Sequence, residues 1–182
     1  MIQDRISASG EAAIRTGQAM IAAAMTAPKG NGVDDVEGVL ITGEDKDILA
    51  SHMRDIADET GEDFYARDAG NVDSSYCVVL LWAKNAPLGL TNCGLCGFKN
   101  CRENRKAGAV CAFNVTDLGI AVGSAAALAA DNRMDNRVLF SAGKGAARMG
   151  LFGDDVKVCY GIPLSVSSKS VFFDRGPGDV KF

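Results

Sequence analysis

The chain has 182 residues, 47% hydrophobic and 23% charged, with a formal net charge of −4 and a sequence pI near 5.0. A chain of this length buries about 70% of its unfolded surface on folding, so it needs neither metal nor disulfides merely to obtain a core. The acidic balance supplies no global basic field for nucleic acid or an anionic membrane.

The opening segment, through Met25, has a helical pattern and lacks the uninterrupted apolar core and cleavage pattern of a signal peptide. The apolar stretches fall short of the roughly 20 residues that span a bilayer. A cytoplasmic protein with no membrane or nucleic-acid partner is expected, and cytosolic thiols stay reduced. Six cysteines in that setting point to metal binding or core packing, and a single histidine, His52, excludes a His-rich metal site.

Residues 6–26 read as a helix with Ile14, Gly17, Ile21 and Met25 near one face. The run 27–32, with Pro28, Gly30 and Gly32, breaks it. Val36 to Thr42 is a strand candidate, and Gly43-Glu44-Asp45 opens a helix whose stripe is Ile48, Leu49, His52, Met53 and Ile56. The acid-rich stretch Asp55 to Asp68 reads as solvated surface. Tyr76 to Trp82 is apolar on both alternating faces, as in a strand in the middle of a sheet. After the cysteine segment 92–111, Asn114 is positioned to cap a helix through 130, with Asp117 in its first turn. Residues 131–137 contain Asp-Asn-Arg twice and read as surface. A helix over roughly 138–149 ends at Gly150, a C′ glycine, before a strand at 156–160 and an extended tail. The elements predict one α+β domain over residues 1–182, a central sheet flanked by helices, carrying a cysteine-rich insertion at 92–111.

Cys93, Cys96, Cys101 and Cys111 follow the pattern C-x2-C-x4-C-x9-C. The C-x2-C pair brings two thiolates to one centre, and the glycine after each tolerates positive φ and lets backbone N–H groups approach sulfur. Four thiolates with no other ligand are what an iron–sulfur cluster requires. Structural zinc also takes four cysteines, usually from two C-x2-C hairpins, and only the first pair here has that form. Disulfides need an oxidising compartment. The preferred reading is an iron–sulfur site, with zinc as the alternative metal. Cys77 and Cys159 lie in apolar strand patterns and read as core residues.

Cys93-Gly94-Leu95-Cys96-Gly97-Phe98-Lys99-Asn100-Cys101 resembles the four-iron–four-sulfur (4Fe-4S) motif of ferredoxin-domain proteins related to the corrinoid iron–sulfur protein. The gap to Cys111 is shorter here than in that group. The whole chain is similar to a family of bacterial and archaeal proteins described only as containing a ferredoxin domain. The matching stretches are Gly108 to Asn114, Asp117 to Ala121, Asp135-Asn136-Arg137 and Tyr160 to Ser165. The resemblance implies a cluster and electron transfer with a redox partner protein.

Residues Ala23 to Asn31 and Asp117 to Ala130 resemble parts of the flavin-dependent nitroreductases. That resemblance implies an α+β homodimer, with FMN at the subunit interface. The family's early arginine/serine phosphate-binding signature is not evident: Arg5 and Ser7 are a poor substitute, and Arg15 is misplaced. Cluster-fed flavin chemistry, or a zinc-stapled interaction module, are the alternative functions. Ser141 to Gly145 fails as a phosphate loop, because no Ser or Thr follows Gly143-Lys144, and is better read as a close-packed helix. His52 reads as a packed, hydrogen-bonded residue.

Overall fold

A computed structural model describes residues 2–173. Helix α1 (Arg5–Thr26) is followed by a 3-10 turn at Gly30–Gly32, strand β1 (Val36–Thr42) and helices α2 (Gly43–Thr60) and α3 (Phe64–Asp73). Strand β2 (Cys77–Lys84) leads into the cysteine segment, which ends in the short helix α4 (Cys101–Lys106). Helix α5 (Ala112–Asp131), strand β3 (Asp135–Asn136), helix α6 (Phe140–Arg148) and strand β4 (Val156–Ser165) complete the order.

The four strands form an antiparallel sheet in the order β1-β2-β4-β3. Strand β2 lies inside it, and every β2 residue but Lys84 is buried. Its alternation divides two cores. Cys77, Val79, Leu81 and Ala83 pack with α1 and α5, through residues such as Met20, Leu118 and Ala125. Val78, Leu80 and Trp82 pack with α2, α3 and α6, through Leu49, Met53, Val72 and Ala146. The doubly apolar strand is thus the middle of a helix–sheet–helix sandwich, as its sequence predicted.

Several expectations shift. The buried residues of α1 are Ala13, Thr16, Gly17, Met20 and Ala24, with Ile14, Ile21 and Met25 packed at the margin, a rotation of about one residue. In α2 the buried face is Lys46, Leu49, Ala50, Met53 and Ala57, while Ile48 is exposed. His52 is half-buried, its Nδ1 facing Asp55 Oδ2 at 3.5 Å without a hydrogen bond.

The stretch read as solvated surface through Asp68 holds helix α3. Asp68 is buried, accepting from Ser141 Oγ at 2.6 Å on one oxygen and from Arg67 on the other. A carboxylate is tolerated inside when its lone pairs are filled, and here they are filled from another helix and a neighbouring guanidinium. Asp135 and Asn136 are no free surface loop but pair with Ser165 and Leu164.

Helix α6 closes as expected. Gly150 takes φ 71°, its N–H donates to Ala147 O, and Leu151 N–H donates to Ala146 O, the paired bonds of a Schellman ending. Gly143 lets α6 lie on β4: a Cβ there would come within 1.8 Å of Cys159 O. Helix α5, with an 18-residue window of mean hydropathy 1.4, is long and apolar enough by composition to cross a bilayer, as core helices also are. Its buried face, with Asp117, Leu118, Ala121, Ala125 and Ala129, packs inside the domain.

Candidate metal centre

The segment between β2 and α5 supplies no residue to either core cluster. It builds a cleft instead. Cys93, Cys96, Cys101 and Cys111 all line one pocket, together with Leu88, Leu90, Leu95 and Phe113. The free cavity between them is small, about 10 Å³. Among the described residues, no three His, Cys, Asp or Glu side chains converge to hold a single metal ion. The four thiols therefore surround a space without meeting at a point.

Local chemistry explains how each cysteine is placed. Gly94 and Gly97 take φ of 71° and 83°, the left-handed conformation that glycine adopts without a Cβ clash. Gly97 N–H donates to Gly94 O at 2.9 Å and closes the turn that presents Cys93 and Cys96, both partly exposed. Asn100 caps α4, its Oδ1 accepting from Glu103 N–H at 3.1 Å. Cys101 is the first residue of that helix, buried at 9% exposure, and its N–H reaches Leu90 O at 3.4 Å.

Cys111, 6% exposed, stands at the N-cap of α5. Asn85, just past the end of β2, holds it. Asn85 Oδ1 accepts from Cys111 N–H at 3.0 Å, and Asn85 Nδ2 donates to Ala109 O at 3.0 Å. Asn104 adds a bond to Val110 O at 3.2 Å, and its own Oδ1 stays buried without a partner among the described residues. Arg105 ties α4 back to Pro87 O at 2.6 Å. The helix starts earlier than expected, with Cys111 at the N-cap position and no side-chain capping bond, and Asn114 Oδ1 accepts from Ala86 N–H at 3.0 Å instead. Asp117 lies beyond the first turn and accepts from Gly30 N–H through both oxygens at 3.0 Å.

Asn85, Asn104 and Asn114 thus position the pocket wall, which sequence reasoning missed. The available signal was asparagine spaced through residues 85–114, where neither helix nor strand pattern required it. Cys77 and Cys159 sit apart in the two cores, where burial pushes each thiol up to about 12.

The nitroreductase phosphate signature has no counterpart at the start of α1. Ser7 N–H and Oγ both donate to the Asp4 carboxylate, at 2.9 and 3.2 Å. Ser7 is thus engaged in the cap of α1, and the Asp4 carboxylate beside it would repel a phosphate. Arg5 and Ser7 do not fit a flavin phosphate.

Solved structures of similar fold include a protein from Desulfovibrio desulfuricans assigned as a nitroreductase and determined in complex with FMN. It has a TM-score of 0.58 and 16% identity, covering 90% of this chain and 79% of that one. An FMN-dependent nitroreductase from Clostridium difficile R20291 gives 0.55 and 14%, covering 85% and 76%. At these identities the likeness establishes a nitroreductase-like fold. An uncharacterized protein of Archaeoglobus fulgidus is 39% identical over 166 residues, 87% of this chain and 89% of its own. Residues 107–175 match a family described as "Uncharacterized protein containing a ferredoxin domain", a span that includes Cys111. With both matches in hand, the chain belongs to that ferredoxin-domain family.

Proposed function

We propose that the chain is an iron–sulfur redox protein, with Cys93, Cys96, Cys101 and Cys111 as the ligands of one cluster, of the 4Fe-4S type, that passes single electrons. The observation that carries this reading is that all four cysteines line one largely apolar pocket. Structural zinc usually takes its four thiolates from two C-x2-C hairpins, and only Cys93 and Cys96 have that form here, which favours the cluster. The membership of a ferredoxin-domain family agrees.

When bound, such a cluster supplies reversible one-electron chemistry. The chain's own contribution is to hold and shield. Cys101 and Cys111 provide buried sulfur at two helix starts, while the glycine turn presents Cys93 and Cys96 at the mouth. Leu88, Leu90 and Phe113 restrict water, and a low local dielectric raises the weight of each nearby backbone dipole.

The test is metal analysis of protein prepared without oxygen. The expected result is about four irons and four sulfides per chain, with broad visible absorbance. One zinc per chain and no iron would sink the cluster and favour a stapled interaction module.

We propose in addition that two copies pair through α5. Its outward residues before the terminal Asp131, namely Thr116, Gly119, Ile120, Gly123, Ala127 and Ala130, carry no charge and include two glycines. A Cβ at Gly119 or Gly123 would meet nothing within this chain. Each glycine weakens the helix by about 1 kcal/mol relative to alanine, a cost that close approach of a second helix would offset.

A further inference from the structure

The segment that carries the four cysteines is also where the charge of the chain reverses. From Asn85 to Thr116 the charged residues are Lys99, Arg102, Glu103, Arg105 and Lys106, four cations against one carboxylate, on a chain of net charge −4. Two of the cations are engaged: Arg105 bonds Pro87 O, and Lys106 pairs with Glu103 at 3.4 Å. Lys99 and Arg102 are exposed and have no partner among the described residues. They flank Asn100 and Cys101, two residues of the pocket wall.

The same lip is apolar at its centre. Leu95, between Cys93 and Cys96, is 67% exposed, and Leu90 is 39% exposed; both belong to the pocket wall. Leu95 thus stands exposed between two site cysteines, close in sequence to two cations without partners among the described residues. This arrangement matches the anatomy of a small transient interface, with an apolar contact that excludes water and charges that steer approach.

We propose that the lip formed by Leu90, Leu95, Lys99 and Arg102 is the docking face for an electron-transfer protein with an acidic surface. The proposal rests on the cluster reading above. One electron crosses the interface: the partner's one-electron centre is oxidised as the cysteine-bound centre is reduced, or the reverse, with no proton or group transferred. Lys99 and Arg102 attract the carboxylates of the partner, and Leu95 brings it against the mouth of the pocket.

The experiment measures binding of an acidic two-iron ferredoxin to the anaerobically prepared chain by calorimetry, with iron content determined in every sample. The Lys99→Glu/Arg102→Glu double variant should keep wild-type iron and weaken binding about tenfold or more at low salt. Wild-type binding should weaken steeply with added salt, and the variant should lose that dependence. A Lys99→Gln/Arg102→Gln variant should fall between the two. Electron exchange with the same ferredoxin should slow in parallel, while reduction by a small uncharged photoreductant should proceed at the wild-type rate. Undiminished ferredoxin binding by an iron-replete double variant would overturn the docking face and leave the cluster reading standing. Wild-type protein without iron would overturn both.

Discussion

Cys77 and Cys159 project from neighbouring strands into opposite cores, and their surroundings set their chemistry. Burial raises both thiols from 9.0 to about 12. The folded state then holds protons that the unfolded chain releases from about pH 9 upward. Their contribution to stability is fully present below pH 9 and is lost as pH rises toward 12, by up to ~1.4 kcal/mol per pH unit per thiol. Urea titrations at pH 8, 9 and 10 should show the midpoint falling slightly at the first step and more steeply at the second. Cys93→Ser or Cys96→Ser, by contrast, should remove most bound iron. Cys77→Ser should leave iron content intact and destabilise the fold by about 1–3 kcal/mol, because a hydroxyl replaces a thiol in an apolar site. Equal iron loss from Cys77→Ser and Cys93→Ser would undo the assignment of ligands. Asn85→Ala should cost about 1–3 kcal/mol, read by thermal melts, and lower the iron retained on dialysis, since it strips the partners of Cys111 N–H and Ala109 O.

At the scale of elements, the packing of α6 on β4 depends on the absence of a side chain at Gly143. Gly143→Ala should destabilise by about 3 kcal/mol or more, measured by chemical denaturation, because the new methyl collides with backbone that cannot rotate away. What the sequence revealed and what it concealed divides along the range of the interactions. Strand β2 was legible because its two apolar faces are written in consecutive residues, and the end of α6 because Gly150 acts within its own turn. The cysteine pocket was legible in its residues, through spacing and the glycines at 94 and 97. Its walls were not, because Asn85 and Asn104 act on backbone reached only after folding. Helix α3 escaped notice for a similar reason: Asp68 looks solvated until Ser141, far along the chain, comes to it. Asn114 was a plausible cap by local rule, but Ala86 claims its side chain from the other side of the pocket.

For the whole molecule, the separation of site from core matters most. Two cores flank the sheet, and residues 85–111 take part in neither. Assembly of two copies through the middle of α5 would leave the pocket free, since only the first two residues of the helix, Ala112 and Phe113, line it. Gly123→Arg should therefore shift sedimentation from dimer to monomer at micromolar concentration while iron per chain stays unchanged. A dimer that survives this substitution would place the contact elsewhere.

The independence of the sandwich from the cysteine segment also bears on how the protein matures. A newly made chain can complete its sheet and both helical layers before any inorganic material arrives, and delivery then meets a preformed receptacle whose mouth is the Cys93–Cys96 turn. Hydrogen exchange should register this order of events. Amides of β2 and α5 should be slow to exchange with or without iron, whereas those of the turn and of α4 should slow only after loading. Protein stripped by chelation should refill without passing through an unfolded state, so that loading and emptying can recur within the life of one folded molecule.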